Sequence, residues 1–378
     1  MGRKANMATI AISGAGIGGL CAAIGLRRLG HDVVVYEQAP KFARVGADIN
    51  LTPNAVRALD GLGVGDALRE TAARPVARIS RTYDTGEETS RLPMGDVAEE
   101  QYGAPQLTMH RADLMNALED ALPDGVVRFD HRLVGITQDS GGVELAFADR
   151  ESARADVVIG ADGIHSTVRT VIHGPESPTF TGVVAFRAVV PVETLTGVAN
   201  LDAFTKWWGP DVNTQIVTFP LNRGRDLFIF ATIPQDGWHE ESWTQPGRVA
   251  ELRELYADFH PEARRLLSAC DEVLKSALYV RDPLPSWTAG RATLLGDACH
   301  PMMPFMAQGA GQAIEDAVVL TRCVEAAEDP AEAFVPYERA RRERTARIQV
   351  SSRDNAWLKD SGTGEWVYGY DAWSVPLD

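Results

Sequence analysis

The chain has 378 residues, of which 45% are hydrophobic and 24% charged, an ordinary globular composition with enough length for two lobes around sizeable cores. A formal net charge of −15, with acids at Glu338 and Glu343 beside and within its densest basic run (residues 339–344), disfavours a nucleic-acid or other polyanion-binding role. No apolar run has the length of a membrane span, no secretory hydrophobic segment opens the chain, and Cys21, Cys270, Cys299 and Cys323 are spaced for neither a disulfide framework nor a metal site. A cytoplasmic protein with no membrane contact and no bound metal is expected.

Residues 9–13 form a short β-branched run that reads as a buried parallel strand. Gly14, Gly16 and Gly19 follow in the spacing G-x-G-x-x-G, with Gly18 inside it, and open a small-residue apolar helix that Gly30 ends. Glycines there allow a tight turn, close approach of a pyrophosphate, and close packing of helix on strand. A second strand at 33–36 ends in Glu37, about 20 residues on from the glycines, where an acid meets a ribose with a free 2′-hydroxyl. The unit therefore reads as a site for an adenosine diphosphate, with NAD and FAD both open at this point.

A loop with Gly46 comes next, then a helix from Pro53 to Leu62 with Thr52 as its N-cap. Residues 77–110 read as strands and loops, 111–122 as a helix, and 126–129 and 143–147 as strands. Residues 155–163 form a second strand-to-glycine junction. Strands are expected at 183–190, 215–219 and 226–233, then a helix at 248–259. Residues 292–297 return to a buried strand ending in Gly296-Asp297, and 309–326 and 331–353 are long helices. The division implied is a nucleotide-binding region 1–180, with 75–110 contributing to a β-rich substrate domain at 181–285. A return to the first region and C-terminal helices follow over 286–378.

Three motifs in order, Gly14-Ala15-Gly16-Ile17-Gly18-Gly19, Gly160-Ala161-Asp162-Gly163 and Gly296-Asp297-Ala298-Cys299-His300-Pro301, resemble the signatures of single-component flavin-dependent aromatic hydroxylases. Residues 206–208, 306–310 and 366–371 resemble 6-hydroxynicotinate 3-monooxygenases and salicylate hydroxylases within that family. The resemblance implies an α/β fold: a Rossmann-like FAD-binding domain with an inserted β-rich substrate domain and C-terminal helices. It implies FAD as cofactor, NADH or NADPH and O2 as co-substrates, and a monomer or homodimer. It also implies hydroxylation of a small activated aromatic or heteroaromatic acid through a C4a-hydroperoxyflavin, with or without loss of a carboxylate. Residues carried to the cofactor are Gly14, Gly16, Gly18, Glu37, Gln38, Arg44, Arg111, Leu133, Asp162, Asp297, Gly309 and Ala310, with Pro301 beside the flavin ring. His300, after the Gly-Asp pair, is expected to be packed or to flank the cofactor and not to act as a base.

Where 6-hydroxynicotinate hydroxylases carry a histidine, a tyrosine and a second histidine in the pocket, the resemblance puts Asn50, Thr218 and Phe305. An amide takes no proton at neutral pH, so a substrate other than 6-hydroxynicotinate and a more apolar pocket are expected. Lys206, Arg187 and Arg223 are candidates to hold a substrate carboxylate. Two alternatives stand beside this reading: a tailoring monooxygenase of a larger natural product, and a flavoprotein without turnover.

Overall fold

The computed structural model describes residues 7–42, 48–238, 245–359 and 364–377. Thr9–Ser13 lies in the middle of a six-stranded sheet, parallel to Asp32–Tyr36 on one side and Val157–Gly160 on the other, with Ile12 opposite Val35 and Ile159. Ala292–Leu294 extends the sheet in parallel, and Thr288–Ala289 and Val127–Arg128 form its edges. The central strands are apolar over most of their length, Ile10–Ile12, Val33–Val35 and Val157–Ile159 all packing into or against one core. Helix Ile17–Arg28 packs on the long helix Gly309–Ala326 and on Arg111–Asp120. Gly14 has φ +101°, and a β-carbon on it would collide with the carbonyl oxygen of Ala161, so the first two glycine junctions touch.

The second sheet has seven strands in the order Leu274–Val280, Thr179–Pro191, Asp226–Pro234, Gln215–Leu221, Phe204–Trp208, Ala77–Thr82 and Glu88–Pro93. Strand alternation sorts its side chains into two sets. Val184, Phe186, Trp207, Ile216 and Ile229 face helices Val249–Leu255 and Pro261–Ser268 and make one core with Leu252, Ala263 and Leu266. Ala185, Phe204, Val217, Phe219, Phe228 and Phe230 face the other way, together with Met303 and Phe305.

Two helices differ from the sequence expectation. The expected helix at 248–259 is shorter, Val249–Leu255, and a separate helix starts at Pro261, whose ring disfavours helical backbone at His260 and keeps the two apart. The last long helix is Phe334–Asp354. A 3-10 turn at Pro330–Ala333 precedes it, held by Asp329, whose carboxylate accepts the Ala331 N–H at 3.0 Å. Among the described residues, no helix is long and apolar enough to cross a membrane. All four cysteines are buried and unpaired, and burial raises each thiol above its ordinary range, so none is primed as a nucleophile.

Candidate active site

A cavity of about 410 Å³ lies between the two sheets. Its floor is the C-terminal edge of the six-stranded sheet: Gly16 and Gly18, Ala161 and Gly163, and Gly296 and Asp297. Ligands of open parallel sheets bind at that edge. The space that a β-carbon on Gly16 would occupy is open, whereas one on Gly18 would collide with Leu295. Gly14 supports the turn from behind and does not line the cavity.

Glu37 stands at the glycine turn because its carboxylate accepts the Ala15 N–H at 2.9 Å and the Ala39 N–H at 2.8 Å. Each oxygen keeps a lone pair for another donor. Gln38 is exposed beside it. Leu133 is a core side chain whose carbonyl accepts from the Thr167 hydroxyl at 3.2 Å. Arg44 lies outside the described residues. Asp162 caps helix Thr167–His173, one oxygen accepting the N–H of Thr167 at 2.9 Å; its other oxygen is buried with no partner, and burial raises the carboxyl.

Arg111, first residue of Arg111–Asp120, lines the cavity half-buried, with no hydrogen bond or ion pair among the described residues. Asp297 is exposed to the same open space. The 18-residue helix Gly309–Ala326 points its N-terminus at the cavity, with Gly309 and Ala310 on the wall. Its backbone entry is fixed by Gln308, which donates to the Thr52 hydroxyl at 2.7 Å and accepts from Asn54 at 3.1 Å and Gln312 at 3.0 Å.

A buried charge network braces this floor. Asp316 accepts from Arg341 Nε at 2.7 Å through one oxygen. Its other oxygen meets His300 Nε2 at 2.6 Å and the Gly296 N–H at 3.1 Å. Arg341 and Arg344 both reach Glu315, at 2.7 and 2.9 Å. Burial pushes both carboxyls up, and the arginines and His300 pull them further down, so each is held below its usual range. His300 is thus a packed residue that fixes the Gly296–Ala298 turn, as expected. Cys299, His300 and Asp316 converge, but both oxygens of Asp316 are already committed within the fold.

The opposite wall is apolar and aromatic: Phe204, Phe219, Phe228, Phe230 and Phe305, with Met302 and Met303. Arg187, Lys206 and Gln215 are the polar residues that the seven-stranded sheet adds. Asn50 reaches the cavity, its oxygen accepting from Gln106 at 2.8 Å. Asp48, two residues earlier, also lines it; burial raises its carboxyl to about 6 against the pull of Arg187 and Arg111. No histidine or tyrosine lines the cavity among the described residues.

Three sequence expectations are corrected. Thr218 is not a pocket residue: Val217 and Phe219 face the cavity, and one step along a strand turns the side chain to the far face. Pro301 does not line the cavity either; it is buried, its carbonyl held by Gln349 at 3.0 Å, and Pro304 is the proline on the wall. Arg223 sits exposed in the turn Asn222–Gly224 with φ +58°. Asp48 and Gln215 were not singled out from sequence. A polar residue in phase with Val217 and Phe219 was the available signal for Gln215.

The family model described as FAD binding domain matches residues 7–351. The chain is 42% identical to 6-hydroxynicotinate 3-monooxygenase of Bordetella bronchiseptica, over 97% of this chain and 96% of that one. Among solved structures, a salicylate hydroxylase substrate complex superposes with a TM-score of 0.84 at 26% identity, covering 97% of this chain and 96% of the other. Klebsiella pneumoniae HpxO, complexed with FAD and uric acid, superposes with a TM-score of 0.83 at 28% identity, covering 96% and 91%. The open glycine turn, Arg111 on the cavity wall and the helix N-terminus at Gly309 suit an anionic dinucleotide cofactor that also carries a ring. The chain belongs to the FAD-binding flavoprotein monooxygenases, among the aromatic hydroxylases that use NAD(P)H.

Proposed function

We propose that this monooxygenase hydroxylates a small, electron-rich aromatic acid other than 6-hydroxynicotinate. The observation that carries the reading is the cavity itself, flavin-suited floor on one side and phenylalanine wall on the other, with neither histidine nor tyrosine among the described residues that line it. A volume of about 410 Å³ that must also take the flavin ring leaves room for a single substrate ring, which disfavours a larger natural product. Phe305 and its neighbours offer ring faces and edges for stacking.

Glu37 would hold the adenosine ribose, with Gly14, Gly16 and Gly18 shaping the turn beneath the pyrophosphate. Gln38 and the backbone at Leu133 are assigned to the adenosine end, and Arg44 stays with them on the resemblance alone. Asp162, Asp297 and Arg111 would take hydroxyl and phosphate groups of the chain joining the two ends. The N–H groups at Gly309 and Ala310 would stabilise negative charge on the ring. Bound FAD supplies the redox chemistry between NAD(P)H and O2. The protein's own part is to place the substrate ring, exclude water and move a proton.

Asn50 cannot take that proton. Asp48 can: it faces the cavity, and its carboxyl stands near 6, close enough to neutrality for general base work on a phenol or an amino-substituted ring. NAD(P)H oxidation and oxygen uptake across a panel of hydroxy- and aminobenzoates and pyridine carboxylates test the reading. Coupled uptake with at least one small acid is expected. Uptake only with multi-ring substrates, or only uncoupled peroxide formation, would overturn it.

A further inference from the structure

Two cations of the seven-stranded sheet line the cavity, Arg187 half-buried and Lys206 buried, and their surroundings differ. Arg187 donates to the Ser276 hydroxyl and has the Asp48 carboxylate nearby. Lys206 is only 5% exposed, and its one hydrogen bond among the described residues runs from Nζ to Asn355 Oδ1 at 2.6 Å. Among the described residues no acid pairs with it; the charges around it are Arg78 and Lys359, both of like sign. Its ammonium lies 3.6 Å from the centre of the Trp208 ring and 5.8 Å from that of Phe305. A buried ammonium with three donors, one acceptor and no counter-charge is an expensive arrangement unless a ligand completes it.

Gln215 carries the same signature. It is 1% exposed and lines the cavity, and its Nε2 has no acceptor. Its Oε1 accepts from Asn355 Nδ2 at 3.2 Å. Asn355 therefore turns one end to each partner, and a second bond from its Nδ2 to the Val212 carbonyl holds it in place. Among the described residues on this side of the cavity, Gln215 Nε2 has no acceptor and Lys206 has one acceptor for three donors; Trp208 Nε1, across the ladder from Gln215, is a buried donor without a partner as well, but Trp208 does not line the cavity. The two strands carry Lys206 and Gln215 on the cavity face, since Lys206 pairs with Val217 across the ladder.

We infer that Lys206 and Gln215, braced by Asn355, form the seat of the substrate's carboxylate and so fix which ring carbon faces the flavin. Arg187, already compensated by Asp48, is not that seat. The inference rests on the proposed aromatic-acid reading and deepens it: the substrate enters as a monoanion, and the ring lies against Phe305.

The test uses the FAD-loaded enzyme and follows the flavin absorbance on titration with benzoate, 3-hydroxybenzoate and nicotinate, each against its amide. Wild type should prefer each acid. Lys206→Met should weaken acid binding by roughly 10- to 100-fold, the range of a charge-assisted contact, with the amides unchanged. Gln215→Leu should do the same to a smaller extent, and it carries the test if Lys206→Met fails to retain FAD. Arg187→Met should leave the acid preference in place. Equal loss of acids and amides in Lys206→Met, or loss of the preference only in Arg187→Met, overturns the inference while leaving the aromatic-acid reading intact. A wild-type enzyme that binds none of the six compounds overturns the aromatic-acid reading itself, and the seat with it.

Discussion

Behind the cavity floor, Arg341 and Arg344 meet Glu315 and Asp316 with every carboxylate oxygen engaged, and His300 completes the set. Across the cavity, Lys206 is also hidden from water, but among the described residues it has an amide oxygen and two ring faces for company and no acid. In the first group the charges balance, although His300 Nδ1 and Arg341 Nη1 make no hydrogen bond among the described residues. In the second the charge is not balanced, and Lys206 and Gln215 both line the cavity. Burial of charge alone therefore says little about function here; the balance of charge within the buried group separates scaffold from site.

The largest expected effect comes from unbalancing the first group. Arg341→Met leaves Glu315 and Asp316 buried with half their compensation, and removing one partner of a buried pair costs about 3–5 kcal/mol. The apparent melting temperature of the FAD-loaded enzyme should fall steeply. The Gly296–Ala298 turn should loosen as well, because Asp316 also accepts the Gly296 N–H, and FAD should then dissociate more readily. A variant that melts like wild type would mean that the network is not the brace described.

Asp48 lies between the two extremes, a carboxylate flanked by Arg187 and Arg111 and yet raised to about 6 by burial. As a base it must be ionised, so kcat/KM should be full above pH 6 and fall as pH drops through it. Asp48→Asn should lower kcat/KM by about a hundredfold, the low end for general base catalysis, and abolish that acid limb. The stability sign runs the other way. A carboxyl raised above its unfolded value of 3.8 favours the folded state at low pH, and this contribution is lost as pH rises through 6. Asp48→Asn should therefore melt no lower than wild type at pH 7, which separates lost chemistry from lost fold. An acid limb that survives in the variant would assign the proton to another group.

The cavity floor was legible in the sequence because each glycine junction is local. Gly14 to Gly19, Asp162-Gly163 and Gly296-Asp297 each follow a short apolar strand within a few residues, and the chain then brings the three ends to one edge. The opposite wall was less so. Which of Val217, Thr218 and Phe219 face the cavity depends on the phase of the strand, and phase is set by pairing with Phe204–Trp208 and Asp226–Pro234. A one-residue shift was enough to misplace Thr218. Asn355 was out of reach altogether: it holds Gln215 across 140 residues, from a left-handed position (φ +47°) just past the end of a helix. Pro301 and Pro304 share one short segment, and only packing against Gln349 decides which of them is turned away.

The smallest effect is also the most direct comparison of the two groups. If Lys206 is an unmet charge, its removal should stabilise the empty enzyme, whereas removal of Arg341 should do the reverse. Burial, reinforced by Arg78 and Lys359, depresses the Lys206 ammonium well below its ordinary value, so holding the proton there costs folding energy at any pH below the unfolded value of 10.5. Methionine fills a similar volume without that charge, and such replacements are neutral or stabilising by about 1 kcal/mol or more. Lys206→Met without ligand should thus melt at or above wild type. Benzoate should close the gap, because it stabilises wild type by mass action and the variant hardly at all. Raising the pH should weaken benzoate binding to wild type, since the seat must then take up a proton as the acid binds, and should leave the variant flat. A variant that melts well below wild type in the absence of ligand would place Lys206 with Arg341, as part of the scaffold.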